Sequence, residues 1–420
     1  MIQKTRTRTR TRMLGYIPLL GLSMVLMLAR SLVQAQVLNV EEYASYNVSL
    51  LISSSFCVLG ALGLQSISQR DLPLYLKQGK LTKSLKNIAQ AIIVTLFLGV
   101  FFLLIWVFTY PSESTYSGKV VGAGLAHGAL QQTFLLLTIF SRSNLMMVTF
   151  SMEYLSRSIL VFFAGYLASI CFETASTTIL VEAIATLLVC SFIFIQTFVK
   201  NNISTLRFLY IAALGIRKVR WKEPLGLMML MLVSFGAENI DRWLSVFFLD
   251  KPSQALYSFS MIIVLAAQSF QVVLNSSLYP ILAQKPERMK ENYILILKIA
   301  FTLIISGFLC YIPFSYFLEF YLPIYFADYV DILNFFPLVY TLAIIRVSDF
   351  WSSYLLICRR ERILICIALI GIFNFIISLS FIKVFFENVG SINMIYYSIL
   401  TSVIINYILL LFNSARVAYR

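Results

Sequence analysis

The chain has 420 residues, of which 60% are hydrophobic and only 12% charged, with a mean hydropathy of +0.85; soluble domains carry roughly 25% charged residues, so a soluble enzyme is excluded. The net charge of +14 does not indicate a nucleic-acid partner, because the basic residues fall in short segments between long apolar runs. Six scattered cysteines with no Cys-x-x-Cys, and a single histidine, rule out a His-cluster metal site; the thiols read as small apolar side chains.

A helix that crosses a bilayer needs about 20 predominantly apolar residues, because the hydrocarbon core is ~30 Å thick and the helix rises ~1.5 Å per residue. A β-barrel would show short alternating segments instead. In chain order, the apolar runs occupy residues 14–33, 46–64, 88–108, 120–140, 158–171, 177–198, 224–248, 255–277, 299–318, 332–357, 363–381 and 392–412. The sequence therefore predicts an all-α polytopic membrane protein with about twelve transmembrane helices. The fifth run is short, and its helix is expected to begin earlier, near Phe150. Thr5–Arg12 alternate Thr and Arg, and residues 1–13 predict a disordered basic tail, drawn to anionic lipid. No cleavable leader is evident. The longest inner segment, 199–223, is the expected linker between a six-helix lobe at 14–198 and a second at 224–412, with a short tail at 413–420. This repeat is a topological inference, since the halves share no convincing sequence identity.

Orientation follows from the bias of Lys and Arg toward inner segments. With the N-terminus inside, 27 of the 33 basic residues fall in inner segments or at the inner interface, and only Lys119, Lys251 and Lys383 fall outside. The remaining three, Arg30, Arg242 and Arg346, lie within spans. Both termini are expected on the cytoplasmic side.

Ionisable residues within spans are costly and face an interior by default. Arg30 and Glu182 are expected at similar depth. They form either an interhelical pair or, with Arg30 lining a cavity, part of a site for an anionic substrate. Glu238 and Arg242 are four apart, and Arg346 and Asp349 three apart, so each set is expected to pair locally. Asp241 adds a further acid. Glu153 and Arg157 are read as a solvated pair at the inner interface. Gln268, Gln271 and Asn275 share one helix face, which is either interhelical glue or the wall of a wet cavity. His127, with Gln131 and Gln132, is either a structural donor or a proton-coupling group.

No catalytic constellation or phosphate-binding loop is present, and no cofactor is implied. Two blocks carry a resemblance. The first is Leu28-Ala29-Arg30-Ser31-Leu32, Glu41-Glu42-Tyr43-Ala44-Ser45-Tyr46, Leu62-Gly63-Leu64 and Arg70-Asp71-Leu72-Pro73. The second is Asn239-Ile240-Asp241-Arg242-Trp243, Ala255-Leu256-Tyr257-Ser258 and Leu278-Tyr279-Pro280. Their order and spacing resemble the polysaccharide transporters, the O-antigen or lipid-linked oligosaccharide flippases of the multidrug/oligosaccharidyl-lipid/polysaccharide (MOP) exporter superfamily. Ala44 stands where that family usually has glycine.

The resemblance implies two six-helix lobes around a central cavity that opens alternately to each side. It also implies a polyprenyl-pyrophosphate-linked oligosaccharide as substrate, and possible association with polysaccharide polymerase machinery. By position, Arg30 and Arg242 match the family's arginines; Arg346 is added from its burial cost. Within spans, three arginines face four acids (Glu182, Glu238, Asp241, Asp349). Two alternatives therefore stay open: an exporter of drugs or organic cations, and a membrane-embedded polysaccharide polymerase or ligase.

Overall fold

The structure is a computed structural model that describes residues 2–109, 116–199, 205–283, 288–385 and 390–419. Among the described residues it is helical and contains no strand. The chain divides into two compact units, Met1–Leu232 and Val233–Arg420.

In the first unit α1 (Ile2–Val37) lies along α6 (Met147–Phe172), and α2 (Val40–Leu59) lies along α5 (Gly118–Ser143). The helix α7 (Ala175–Phe194) packs against both α5 and α6. The helix α4 (Leu81–Thr109) packs against α5, and both α3 (Leu64–Lys77) and α8 (Thr205–Gly215) pack on α4. Small residues set the α2–α5 approach. A Cβ at Gly124 would stand 2.7 Å from the Ser49 carbonyl oxygen, and one at Gly128 would stand 2.8 Å from that of Ser53. Glycines four apart on one helix face let two backbones come this close. Ser49 Oγ then donates to the Val120 carbonyl at 2.7 Å.

The helices α2 and α3 meet at a bend of 56°. Gly63 makes the bend with φ +80, and a Cβ there would collide with the Pro224 carbonyl oxygen. Only glycine meets both conditions without strain.

In the second unit α9 (Lys222–Phe248), which begins in the first, leads into α10 (Lys251–Ala283) and α11 (Met289–Tyr325). A 3₁₀ turn (Ala327–Asn334) precedes α12 (Phe336–Val347) and α13 (Trp351–Ile357), followed by α14 (Glu361–Phe385) and α15 (Ser391–Ala418). The helix α12 packs on α10 and α15, and α14 on α15. Tyr257, Val339, Phe375 and Tyr396 centre one buried cluster, and Tyr293, Trp351 and Tyr354 another.

Large apolar side chains, among them Phe108, Phe163, Phe192, Phe301, Leu309 and Phe373, are exposed along the outer faces of these helices. An outer surface of this kind fits hydrocarbon rather than water. Among the described residues nine helices are long and apolar enough to cross a membrane, or eleven if each bent pair counts as one span. The chain is a multi-pass, all-α membrane protein. The helix α9, the expected seventh span, falls outside that count; Glu238, Asn239 and Asp241 lower its hydropathy, although its 27 residues suffice in length.

The expected short fifth run is a full helix that starts at Met147, three residues before the expected Phe150. The tenth run is not the single helix expected, because it breaks between Val347 and Trp351. The helices α3 and α8 lie between expected spans. The Thr-Arg segment, expected to be disordered, continues α1 back to Ile2. Propagation from an existing helix is cheap compared with nucleation.

Candidate functional site

Polar side chains from five helices meet inside the first unit. On α1, Ser23, Arg30 and Gln34 are buried at spacings of seven and four, so they share one face. Ser23 Oγ bonds Ser158 Oγ of α6 at 2.7 Å. Arg30 Nη1 donates to Glu182 Oε2 of α7 at 3.3 Å, with the two side chains 7% and 0% exposed. Tyr46 of α2 donates its hydroxyl to Glu182 Oε1 at 2.9 Å, and its ring centroid is 5.9 Å from the Arg30 guanidinium carbon. Gly165 of α6 makes room for this carboxylate, since a Cβ there would lie 2.5 Å from Glu182 Oε1. Glu42 accepts a bond from the Ala175 backbone N–H at 2.6 Å and so satisfies the first N–H of α7. Two of the motif residues, Glu42 and Tyr46, therefore position α7 and its glutamate.

Of the two readings of Arg30, the interhelical pair with Glu182 is the one formed. Further along the seam, His127 of α5 bonds Ser53 Oγ through Nδ1 at 2.8 Å, and Gln132 donates to Gln65 Oε1 at 2.9 Å. Glu153 and Arg157 are not a solvated pair. Both are buried, at 7% and 6% exposure. Glu153 Oε1 accepts from Ser141 at 2.6 Å, while Arg157 Nε donates to Thr186 Oγ1 at 3.3 Å, so the two diverge toward different helices. The hydropathy of the short apolar run placed them at an interface, but α6 begins a turn and a half before Glu153.

In the second unit, the expected pairing of Glu238 with Arg242 is absent among the described residues; Glu238 is exposed and Arg242 half-buried. Asp241 is instead the buried member, 1% exposed, and accepts a bond from the Tyr257 hydroxyl. The Tyr257 and Tyr396 rings lie 5.2 Å apart, tilted by 41°, and Tyr396 bonds Ser260. Among the described residues Arg346 and Asp349 form no ion pair, because the helix ends at Val347 and the three-residue spacing no longer keeps them on one face. Asp349 Oδ1 accepts from the Trp351 backbone N–H at 3.3 Å, at the start of α13.

Gln271 Nε2 bonds the Asp349 carbonyl and Asn275 Nδ2 donates to Ser353 Oγ at 2.7 Å, so these two members of the polar stripe join α10 to the break and to α13. Gln268 is half-buried. Among the described residues no group of three or more His, Cys, Asp or Glu side chains is placed to hold a metal ion.

The sequence reading did not single out Tyr46, Gly165, Arg157 or Tyr257 for these roles. Tyr46 and Tyr257 stood in the quoted motifs, and Arg157 was visible as a charge near an apolar run. Gly165 gave no signal, because what it accommodates comes from another helix.

The sequence matches no protein-family model and no curated protein. Solved structures do match. VcmN, a MATE transporter of Vibrio cholerae solved as a point mutant, is 13% identical, with 99% of each chain covered and a TM-score of 0.65. The lipid II flippase MurJ, in an inward closed conformation, is 15% identical, covering 97% of this chain and 90% of that one, with a TM-score of 0.69. A MOP-superfamily transporter of Pyrococcus furiosus, described as having a binding pocket of reverse polarity, is 12% identical, with 96% and 94% covered and a TM-score of 0.64. Over nearly its whole length, the chain has the fold of these membrane transporters.

Proposed function

We propose that the chain is a transporter that moves a polyprenyl-pyrophosphate-linked oligosaccharide from the inner to the outer leaflet of a bacterial cytoplasmic membrane, for surface polysaccharide assembly. The observation that carries this reading is the likeness to the lipid II flippase over 97% of the chain, together with the motif blocks around Arg30 and Arg242. A sugar head group cannot cross hydrocarbon unaided, because each hydroxyl would lose its hydrogen bonds. A helical interior lined with amides, hydroxyls and guanidinium groups supplies them. In this reading Arg242 and Arg346, both half-buried and without an ion pair among the described residues, meet the pyrophosphate by charge-assisted hydrogen bonds. Arg30 holds Glu182, and Gln268 faces the head group. The carrier lipid stays in the bilayer, both termini are cytoplasmic, and alternating access rather than catalysis moves the substrate. A polysaccharide polymerase complex would take over the product.

Deleting the gene tests this. The expected result is loss of surface polysaccharide with accumulation of carrier-linked oligosaccharide on the inner leaflet. Normal surface polysaccharide in a strain with no second transporter would overturn it. One observation favours the drug or organic-cation exporter instead. Asp241 is buried with no cationic partner among the described residues, and one of its oxygens has no hydrogen bond. An exporter of that kind would lose drug resistance on Asp241→Asn, while deletion would leave the glycan intact.

A further inference from the structure

Arg157 is a buried cation without a counter-charge. It is 6% exposed and forms no ion pair among the described residues. Its Nε is engaged by Thr186, and its guanidinium carbon lies 5.1 Å from the centroid of the Phe134 ring. Its Nη2 is buried with no hydrogen-bond partner. Glu182 is committed to Arg30 and Tyr46, and Glu153, four residues before Arg157 on α6, bonds Ser141 through Oε1 and forms no ion pair with Arg157 among the described residues, although its Oε2 has no hydrogen bond. Arginine does not shed its proton in a protein, so the charge cannot be relieved by neutralisation. Leaving it bare inside a membrane bundle is expensive.

Other buried donors nearby are equally unsatisfied. Arg30 Nε and Gln34 Nε2 lack partners, as does His127 Nε2, alongside three bare acceptors, Gln34 Oε1, Gln132 Oε1 and Glu153 Oε2. His127 lies within electrostatic reach of both Arg30 and Arg157, and the two arginines within reach of each other. When Ser53 donates to His127 Nδ1, Nε2 carries the proton and becomes one more donor. A seam with unspent donors and an uncompensated guanidinium calls for an acceptor that carries negative charge.

We propose that the interior of the first unit binds a small anion at the Arg157 guanidinium, at the Nη2 that neither Thr186 nor any other group bonds. The chemistry required is a compact, singly charged acceptor. It is met by a halide ion from solution or by a phosphate oxygen of a bound substrate, and the test separates the two.

The full chain, purified in detergent, is melted in sodium gluconate and then with added sodium bromide, sodium chloride or sodium pyrophosphate at matched ionic strength. An anion that binds only the folded protein raises the melting temperature saturably, here by roughly 2–4 °C at about a hundred-fold excess over its dissociation constant. A rise with halide identifies a solution ion; a rise with pyrophosphate alone identifies a phosphate group. The rise should vanish in Arg157→Gln and persist in Arg157→Lys and Glu153→Gln. Arg157→Gln should melt no lower than the parent in gluconate, because it removes a charge that has no partner. Identical melting of the parent in every salt would overturn the proposal, as would an anion response that survives Arg157→Gln. Because the readout is thermal, the outcome is independent of whether the substrate is a glycan carrier.

Discussion

At the scale of single residues, the Arg30–Glu182 pair carries the largest consequence. Neither partner has solvent to fall back on, since the side chains are 7% and 0% exposed. Removing one member of such a pair strands the other, at a cost of roughly 3–5 kcal/mol, while replacing both with apolar residues of similar volume is often close to neutral. Arg30→Met and Glu182→Met should therefore each lower the unfolding free energy in detergent by about that amount. The double substitution should recover most of it. Equal, additive losses would mean that the two side chains do not interact. The same geometry weakens Arg30→Ala as a probe of substrate binding, because loss of transport would follow from the stranded glutamate alone. This pair was legible in the sequence, since depth counted from the span boundaries set both residues at the same level. The pairs on α9 and at Arg346–Asp349 were not, because same-helix spacing says only which residues can meet. It does not say whether the helix continues or which acid is turned inward, and on α9 that is Asp241, bonded by Tyr257, while Glu238 is exposed.

At the scale of elements, glycine sets where helices bend and how closely they pack. Gly63 combines φ +80 with a carbonyl oxygen that occupies the place a Cβ would need. Gly63→Ala should destabilise by at least about 1–3 kcal/mol, the usual size of stored backbone strain. The turn must also shift away from Pro224, so the loss should appear as a lower melting temperature together with faster proteolysis near the α2–α3 turn. An unchanged melting temperature would mean that the turn is not held in the left-handed region. The Leu-Gly-Leu motif marked this position from the sequence, although the motif alone did not reveal that a second helix follows. The helix α3 went unread because its polar residues, Arg70 and Asp71 among them, removed it from any apolar run. The break at Ser348–Phe350 went unread for a different reason. The apolar stretches on either side were joined into one span-length run across Ser348 and Asp349, and the turn is secured by Asp349 together with Gln271 of α10.

At the scale of the whole molecule, the distribution of charge makes a claim that helix geometry does not, namely which ends of the helices face the cytoplasm. Lys119, Lys251 and Lys383 are the only basic residues assigned to the outer side, while Lys80 stands for the many assigned inside. These four lie at or near helix ends, in α5, α10 and α14 and just before α4. Positive side chains resist translocation during insertion, and with Arg157 set aside as buried in the bundle the bias of 26 to 3 is still a strong directional signal. Cysteine substitutions at the four sites, made in a background without the six native thiols, should report it in intact cells. A membrane-impermeant maleimide should label Lys119→Cys, Lys251→Cys and Lys383→Cys from outside, and should reach Lys80→Cys only after the membrane is opened. Complete inversion of that pattern would reverse the orientation while keeping the fold. A mixed pattern would be more damaging, since it would mean that the number of crossings between two of the sites is wrong. The stretch most exposed to that outcome is α9, whose acidic segment leaves it outside the helices that qualify as spans by apolarity. If α9 failed to cross, Lys119 would label from outside, but Lys251 would respond from the cytoplasmic side.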